Sequence, residues 1–209
     1  MIRKLLLALF FLLFYINLNA QDLEVGFSAG TGSIYMVEHH DEDINMNYSA
    51  RIMYAAALKY TPENAYFGIQ LKYQNLNAKV QGEDWQNIQI NAAIISNFDG
   101  YIDNRTLLLQ LEHVSSRESQ FNFGYNFGLG GTTEELSFDN RGVNTMKNTF
   151  SVISAGALVT YSLTEALRVK FEPSFLWNDP INSLYADRYR MAGEDINLLF
   201  QLGLSYTIN

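Results

Sequence analysis

Two stretches of the chain gather side chains that could do chemistry. The first is Glu38-His39-His40-Asp41-Glu42-Asp43, where two imidazoles stand among carboxylates. Imidazole nitrogen suits zinc or nickel, and carboxylate oxygen suits calcium or magnesium. Ligands on a regular element must share a face, and adjacent histidines do not. The run reads as a solvated acidic loop, with no metal and no cofactor expected. The second is His113-Val114-Ser115-Ser116, with Glu112 and Glu118 nearby. A serine nucleophile needs a histidine base, and the base needs an orienting acid. On a strand Glu112 and His113 point to opposite faces. His113 therefore reads as a residue at an interface, and no catalytic residue is assigned.

What must position these groups is a set of strands. From Ile196 to Ile208 every second residue is apolar: Ile196, Leu198, Phe200, Leu202, Leu204, Tyr206, Ile208. A period of two marks a strand with one face in an apolar medium. Similar stripes lie near 23–35, 47–60, 65–75, 105–114, 120–132, 148–161, 166–178 and 195–208, eight in all. Each is long enough to cross a bilayer when tilted, which takes about 9–11 residues. The apolar rows, such as Tyr48 to Tyr60 and Phe121 to Leu129, carry no charge. Tyr48, Tyr60, Tyr73, Tyr161, Trp177 and Tyr206 fall near strand ends, as aromatic girdles at the two water interfaces would. Pro173 interrupts its row without an N–H to give, so a bulge is expected there.

The opposite rows hold charge. Arg51, Lys59, Lys72, Arg168 and Lys170 share that face with Glu24, Glu112 and Glu172. An eight-stranded barrel is just wide enough for side chains to fill it. Five cations and three anions inside so narrow a space must pair, because lone buried charge is costly. One interior network joining all of them is expected. It reads as a polar plug that fixes register, with an ion path or gate as the competing reading.

The connections alternate. Three are short: Thr61 to Asn64, Ser115 to Ser119 and Ser162 to Glu165. Four are long, about 36–46, 76–104, 133–147 and 179–194. Short turns on one side and long loops on the other are the pattern of outer-membrane barrels, with both termini periplasmic. Ile88, Ile90, Ala92 and Ile94 alternate inside the loop at 76–104. They leave ten strands as the alternative, beside strands that extend past the membrane as a hairpin.

Arg3 and Lys4, the apolar run Leu5 to Ile16 and the small Ala20 make residues 1–20 a secretory signal. Residues 21–209 then form a single barrel domain. That mature part keeps all 22 acidic residues and 12 basic ones, a formal charge of 12 − 22 = −10. A nucleic-acid partner is not expected, since phosphate binding needs clustered Lys and Arg. With no cysteine there is no disulfide scaffold and no lipidated N-terminal Cys.

Periodicity does not say which face is inside. A secreted lipocalin-like carrier also has eight strands, with its apolar face lining a ligand cavity. The loop rhythm and the aromatic strand ends favour the membrane version. On the ending Asn19-Ala20-Gln21 and the repeats Phe123-Gly124 and Phe127-Gly128, the chain resembles small outer-membrane β-barrels of Gram-negative bacteria. It is similar to those of the OmpA/OmpX type, and to the porin-family or PorT-like barrels of Bacteroidetes. It departs from the pattern in Val25-Gly26-Phe27, where a Gly-x-Trp start is absent, and in the last residues Tyr206-Thr207-Ile208-Asn209, where no aromatic residue closes the chain. The resemblance implies an all-β, antiparallel up-and-down transmembrane barrel with a non-enzymatic envelope-structural, surface or complex-interaction role. Its partners would be outer-membrane lipid, lipopolysaccharide and other outer-membrane proteins. A narrow pore and a lipid A-modifying enzyme are the other readings. The last rests on His113-Val114-Ser115, which resembles the His-x-Ser of lipid A deacylases but falls at a periplasmic turn.

Overall fold

A stripe with one face in lipid can satisfy its backbone only by pairing on both edges, and a membrane strand set does so by closing into a ring. The computed structural model describes residues 22–36, 45–63, 65–83, 89–90, 93–94, 98–114, 119–139, 145–180 and 195–208, with the backbone alone at some strand tips and over 45–51. The strands are β1 (Asp22–Met36), β2 (Asn45–Thr61), β3 (Phe67–Glu83), β4 (Phe98–Val114), β5 (Phe121–Phe138), β6 (Met146–Ser162), β7 (Leu167–Asn178) and β8 (Asp195–Ile208). Each pairs antiparallel with its neighbours in chain order, and β8 pairs back onto β1 to close the barrel. Gln89–Ile90 and Ala93–Ile94 form a separate two-stranded ladder that does not join the wall. The barrel thus has eight strands, not ten.

The register fixes the dimensions. Following partners from Glu24 through Lys59, Gln70, Gln110, Gly128, Ser154, Leu176 and Asn197 leads back to β1 at Ile34, a stagger of 34 − 24 = 10 residues. With ordinary strand spacing and rise, that shear gives a tilt of about 40° and a backbone radius of about 8 Å. Such a lumen is filled by side chains. Two close approaches depend on glycine: a Cβ at Gly30 would stand 1.9 Å from the Phe200 carbonyl oxygen, and one at Gly130 1.9 Å from that of Leu107.

Three local expectations change. First, Ala50 pairs with Ala78 but Ile52 with Asn77, so Arg51 is the extra residue of a bulge. The alternation read unbroken from Tyr48 to Tyr60 switches face there. Second, Pro173 causes no bulge. Gly156 pairs with Ser174 and Val159 with Phe171 in one register, so the ladder merely skips the positions opposite the missing N–H. Third, most of the stretch at 76–104 is wall: β3 runs to Glu83 and β4 starts at Phe98. The hairpin extension holds, and the loop shrinks to 84–97.

The physical reason lies in a reversal of parity. In the lower wall, Leu71, Leu107, Leu109, Leu111, Phe127, Leu129 and Leu202 stand exposed, while Gln70, Lys72, Gln110 and Glu112 are buried. Past Tyr73, Leu107 and Leu129 the exposed face turns polar, with Lys79, Asp99, Asp103, Arg105 and Glu135 pairing along it. Over the same stretch Leu76, Ala78, Val80, Ile102 and Leu136 are buried. On β3, β4 and β5 the apolar belt below this line is about 15–20 Å tall at that rise and tilt. Above it the wall is polar outside and keeps its apolar side chains inside, the arrangement of a wall in water.

Candidate functional site: the lumenal charge network

Of the eight charged residues expected in the lumen, seven have described side chains, and these form two groups. In the first, Lys59 Nζ of β2 lies 2.6 Å from Glu112 Oε1 of β4 and 3.2 Å from Glu24 Oε2 of β1. Lys170 of β7 pairs with Glu24 and, at 3.3 Å, with Glu112 Oε1. Arg168 Nη1 lies 3.5 Å from Glu24 Oε2. In the second, Lys72 Nζ of β3 donates to both oxygens of Glu172 in β7, at 2.7 and 2.8 Å. Asn126 Nδ2 of β5 donates to the same carboxylate at 3.0 Å. The Arg51 side chain lies outside the described residues.

These residues meet because each occupies the lumenal parity of its strand at the turn-side half of the barrel. Glu24, Lys59, Lys72, Glu112 and Glu172 are all buried. The desolvation cost of each charge is offset by opposite charge and by hydrogen bonds at ion-pair distance. Neutral polar side chains fill the remaining space: Gln70 Nε2 donates to Gln110 Oε1 at 2.8 Å, and Gln110 Nε2 donates to Ser154 at 3.1 Å. Ser28 donates to Gln201 Oε1 at 3.0 Å.

Two small voids flank the first ion group. One is lined by Ser28, Ala55, Ala57, Lys72 and Gln201, the other by Asp22, Thr61, Tyr66 and Arg168, and Glu24 and Glu112 border both. Toward the opposite mouth apolar side chains enter the lumen, with Met53, Leu76, Val152, Leu176 and Leu199 almost fully buried beside the polar Asn104, Glu134, Asn178 and Asn197. The arrangement can hold water beside the ion pairs; its chemistry is electrostatic and structural.

The His113 cluster does not assemble a nucleophilic site among the described residues. Glu112 is committed to Lys59 and Lys170 inside the lumen. His113 instead stacks on Tyr125 with ring centroids 4.8 Å apart and lies 4.6 Å from the Phe67 ring, the three being register partners on the outer face. Ser115, Ser116, Glu118 and the Glu38–Asp43 run lie outside the described residues. Tyr60, Tyr161 and Tyr206 sit at the turn side of the apolar belt, and Tyr73 and Trp177 at its other margin. The side chain of Tyr48 is not among those described.

Sequence reasoning missed Asn126 as a partner of Glu172, and it missed Glu134. That carboxylate is buried opposite Asn104 in the upper wall. Its signal was parity: Glu134 continues the lumenal row Asn122, Gly124, Asn126, Gly128, and a strand carried on to Phe138 would have placed it inside.

No family model matches the chain, and no curated protein matches it in sequence. Solved structures do match its fold. A major outer membrane protein from Thermus thermophilus superposes with a TM-score of 0.62 at 12% identity, over 91% of this chain and 100% of that one. Neisserial surface protein A gives 0.56 at 8% identity, over 89% and 97%. Ail, the attachment invasion locus protein of Yersinia pestis, solved with the heparin analogue sucrose octasulfate, gives 0.50 at 8% identity, over 90% and 97%. The likeness is one of fold and singles out no bacterial phylum; in particular it does not narrow to Bacteroidetes. With its closed, eight-stranded antiparallel wall, the chain has the fold of the small outer-membrane β-barrels.

Proposed function

We propose that residues 21–209, after removal of the signal at 1–20, form a non-enzymatic barrel of the cell outer membrane. It anchors a polar sheet above the bilayer for envelope support, surface contact or assembly with other outer-membrane proteins. Both termini would face the periplasm, because Asp22 and Ile208 lie at the short-turn end of the wall. The observation that carries this reading is the reversal of parity at one line around β3, β4 and β5. An apolar exterior below it and a paired, charged exterior above it match a lipid boundary crossed at a fixed height. Outer-membrane lipid meets the belt. Lipopolysaccharide phosphate would meet Arg105 and Lys79 just beyond it.

The competing pore reading finds little room. The charged half of the lumen is occupied by paired side chains, and the other half is packed with Met53, Leu76, Leu176 and Leu199. Planar-bilayer recording of the refolded protein tests this, with silence expected and steady unitary conductance favouring the pore. Lipid A mass spectra from cells overexpressing the protein test the enzymatic reading. Unchanged masses are expected, and a lost acyl chain would replace the non-enzymatic assignment.

A further inference from the structure

Glu134 of β5 lies above the apolar belt, with Thr133 and Glu135 facing outward on either side of it. It is 2% exposed and register-paired with Asn104 of β4, itself 3% exposed. The register sets Leu76, Ile102, Leu136, Phe150 and Thr132 around it on the same face, all buried, and pairs it with Asn148 of β6, whose side chain is outside those described. Neither Glu134 oxygen has a hydrogen-bond partner, and neither do Asn104 Oδ1 and Nδ2. Four orphan polar atoms on two facing side chains need an explanation, since each costs its full desolvation.

We propose that Glu134 and Asn104 form a proton-operated latch between β4 and β5, closed when the carboxyl is protonated and loosened when it ionises. A carboxylic acid and a primary amide are complementary. The Glu134 O–H donates to Asn104 Oδ1, and Asn104 Nδ2 donates to the other Glu134 oxygen, so all four atoms are satisfied at once. The ionised acid has no proton to give, so the amide oxygen loses its donor and a charge is left among largely apolar side chains. Burial pushes this carboxyl up to about 7, and the Asn104 amide opposes the shift only in part. Among the described residues no cation faces Glu134. On β4, Asp103 and Arg105 pair with each other on the outer face, and Glu135 of β5 pairs with Lys147 of β6 there. Asn178 of β7 and Asn197 of β8 are buried and neutral. Arg51, in the β2 bulge between the partners of Ala78 and Asn77, has its side chain outside those described.

The test is amide hydrogen exchange on the full mature protein in lipid vesicles at pH 6 and pH 8, read as protection factors. Over residues 100–106 and 132–137 protection should fall about tenfold between the two pH values, as linkage to a group titrating near 7 requires. Glu134→Gln should abolish the pH dependence, and Asn104→Leu should keep it while lowering protection at pH 6. Protection independent of pH in the native protein would overturn the latch, and so would pH dependence that survives Glu134→Gln. A Glu134 carboxylate titrating below 5 would overturn it.

Discussion

Lys59 reaches across the face of β3 to Glu112: its Nζ lies 2.6 Å from Oε1, although β2 and β4 share no hydrogen bond. The pair ties alternate staves of the wall through the lumen, and Lys170 of β7 closes the same carboxylate from the far side. A barrel whose neighbouring strands are held by backbone ladders gains from this a constraint on its cross-section. Glu112→Gln should therefore cost about 3–5 kcal/mol, the range for removing one partner of a buried ion pair. Lys59→Met with Glu112→Leu should cost less than either single change, because Lys170 and Arg168 keep Glu24. Urea unfolding of the refolded protein in vesicles measures all three.

The reversal of parity predicts where an outward arginine is tolerated. Leu109→Arg, in the middle of the exposed apolar belt, should destabilise by roughly 2–4 kcal/mol. Thr133→Arg, beyond the belt, should change stability by less than about 1 kcal/mol. Equal costs at the two positions would mean that the line between them is not a lipid boundary.

Adjacent glycines in β5 should behave differently. A Cβ at Gly130 would sit 1.9 Å from the Leu107 carbonyl oxygen, whereas one at Gly131 would meet nothing nearer than 3.6 Å. Gly130→Ala should destabilise by about 1–3 kcal/mol or block folding, as overpacking does. Gly131→Ala should be near neutral, judged by the yield and unfolding midpoint of the refolded barrel.

Stability should also depend on pH through Glu134. Its carboxyl is raised on folding from 4.5 to about 7, so the folded state binds this proton more tightly than the unfolded chain does. The contribution is fully present below 4.5, declines as pH rises, and is lost above about 7. Glu134→Gln should stabilise the barrel at pH 8 by up to about 3 kcal/mol and change little at pH 4. Chemical unfolding at the two pH values reads the difference.

The lower wall was legible from sequence because an apolar exterior and a charged interior give alternation its strongest contrast. The row Leu107, Leu109, Leu111 beside Gln110 and Glu112 marks a strand with two opposed faces, and the loop rhythm and aromatic strand ends chose which of them points outward. The upper wall was not, because the contrast inverts within a strand. Leu76, Ala78 and Val80 continue the strand of Ile69, Leu71 and Tyr73 on the other parity, and the change looks like an end. The bulge at Arg51 does the same to β2 through one extra residue, which no count of period two can detect. The lumenal charges were identified by parity, while their division into two groups depends on the ten-residue stagger that sets which rows meet across the lumen.

The central claim is that this wall is folded in an outer membrane with lipid against its belt. Fractionation of cells producing the full chain, followed by gel electrophoresis with and without boiling, tests it most directly. Recovery in the outer-membrane fraction is expected, with a band that resists SDS and shifts in mobility only after heating. Detergent-free recovery from the periplasm, with one mobility whether or not the sample is boiled, would contradict it and favour a soluble lipocalin-like carrier.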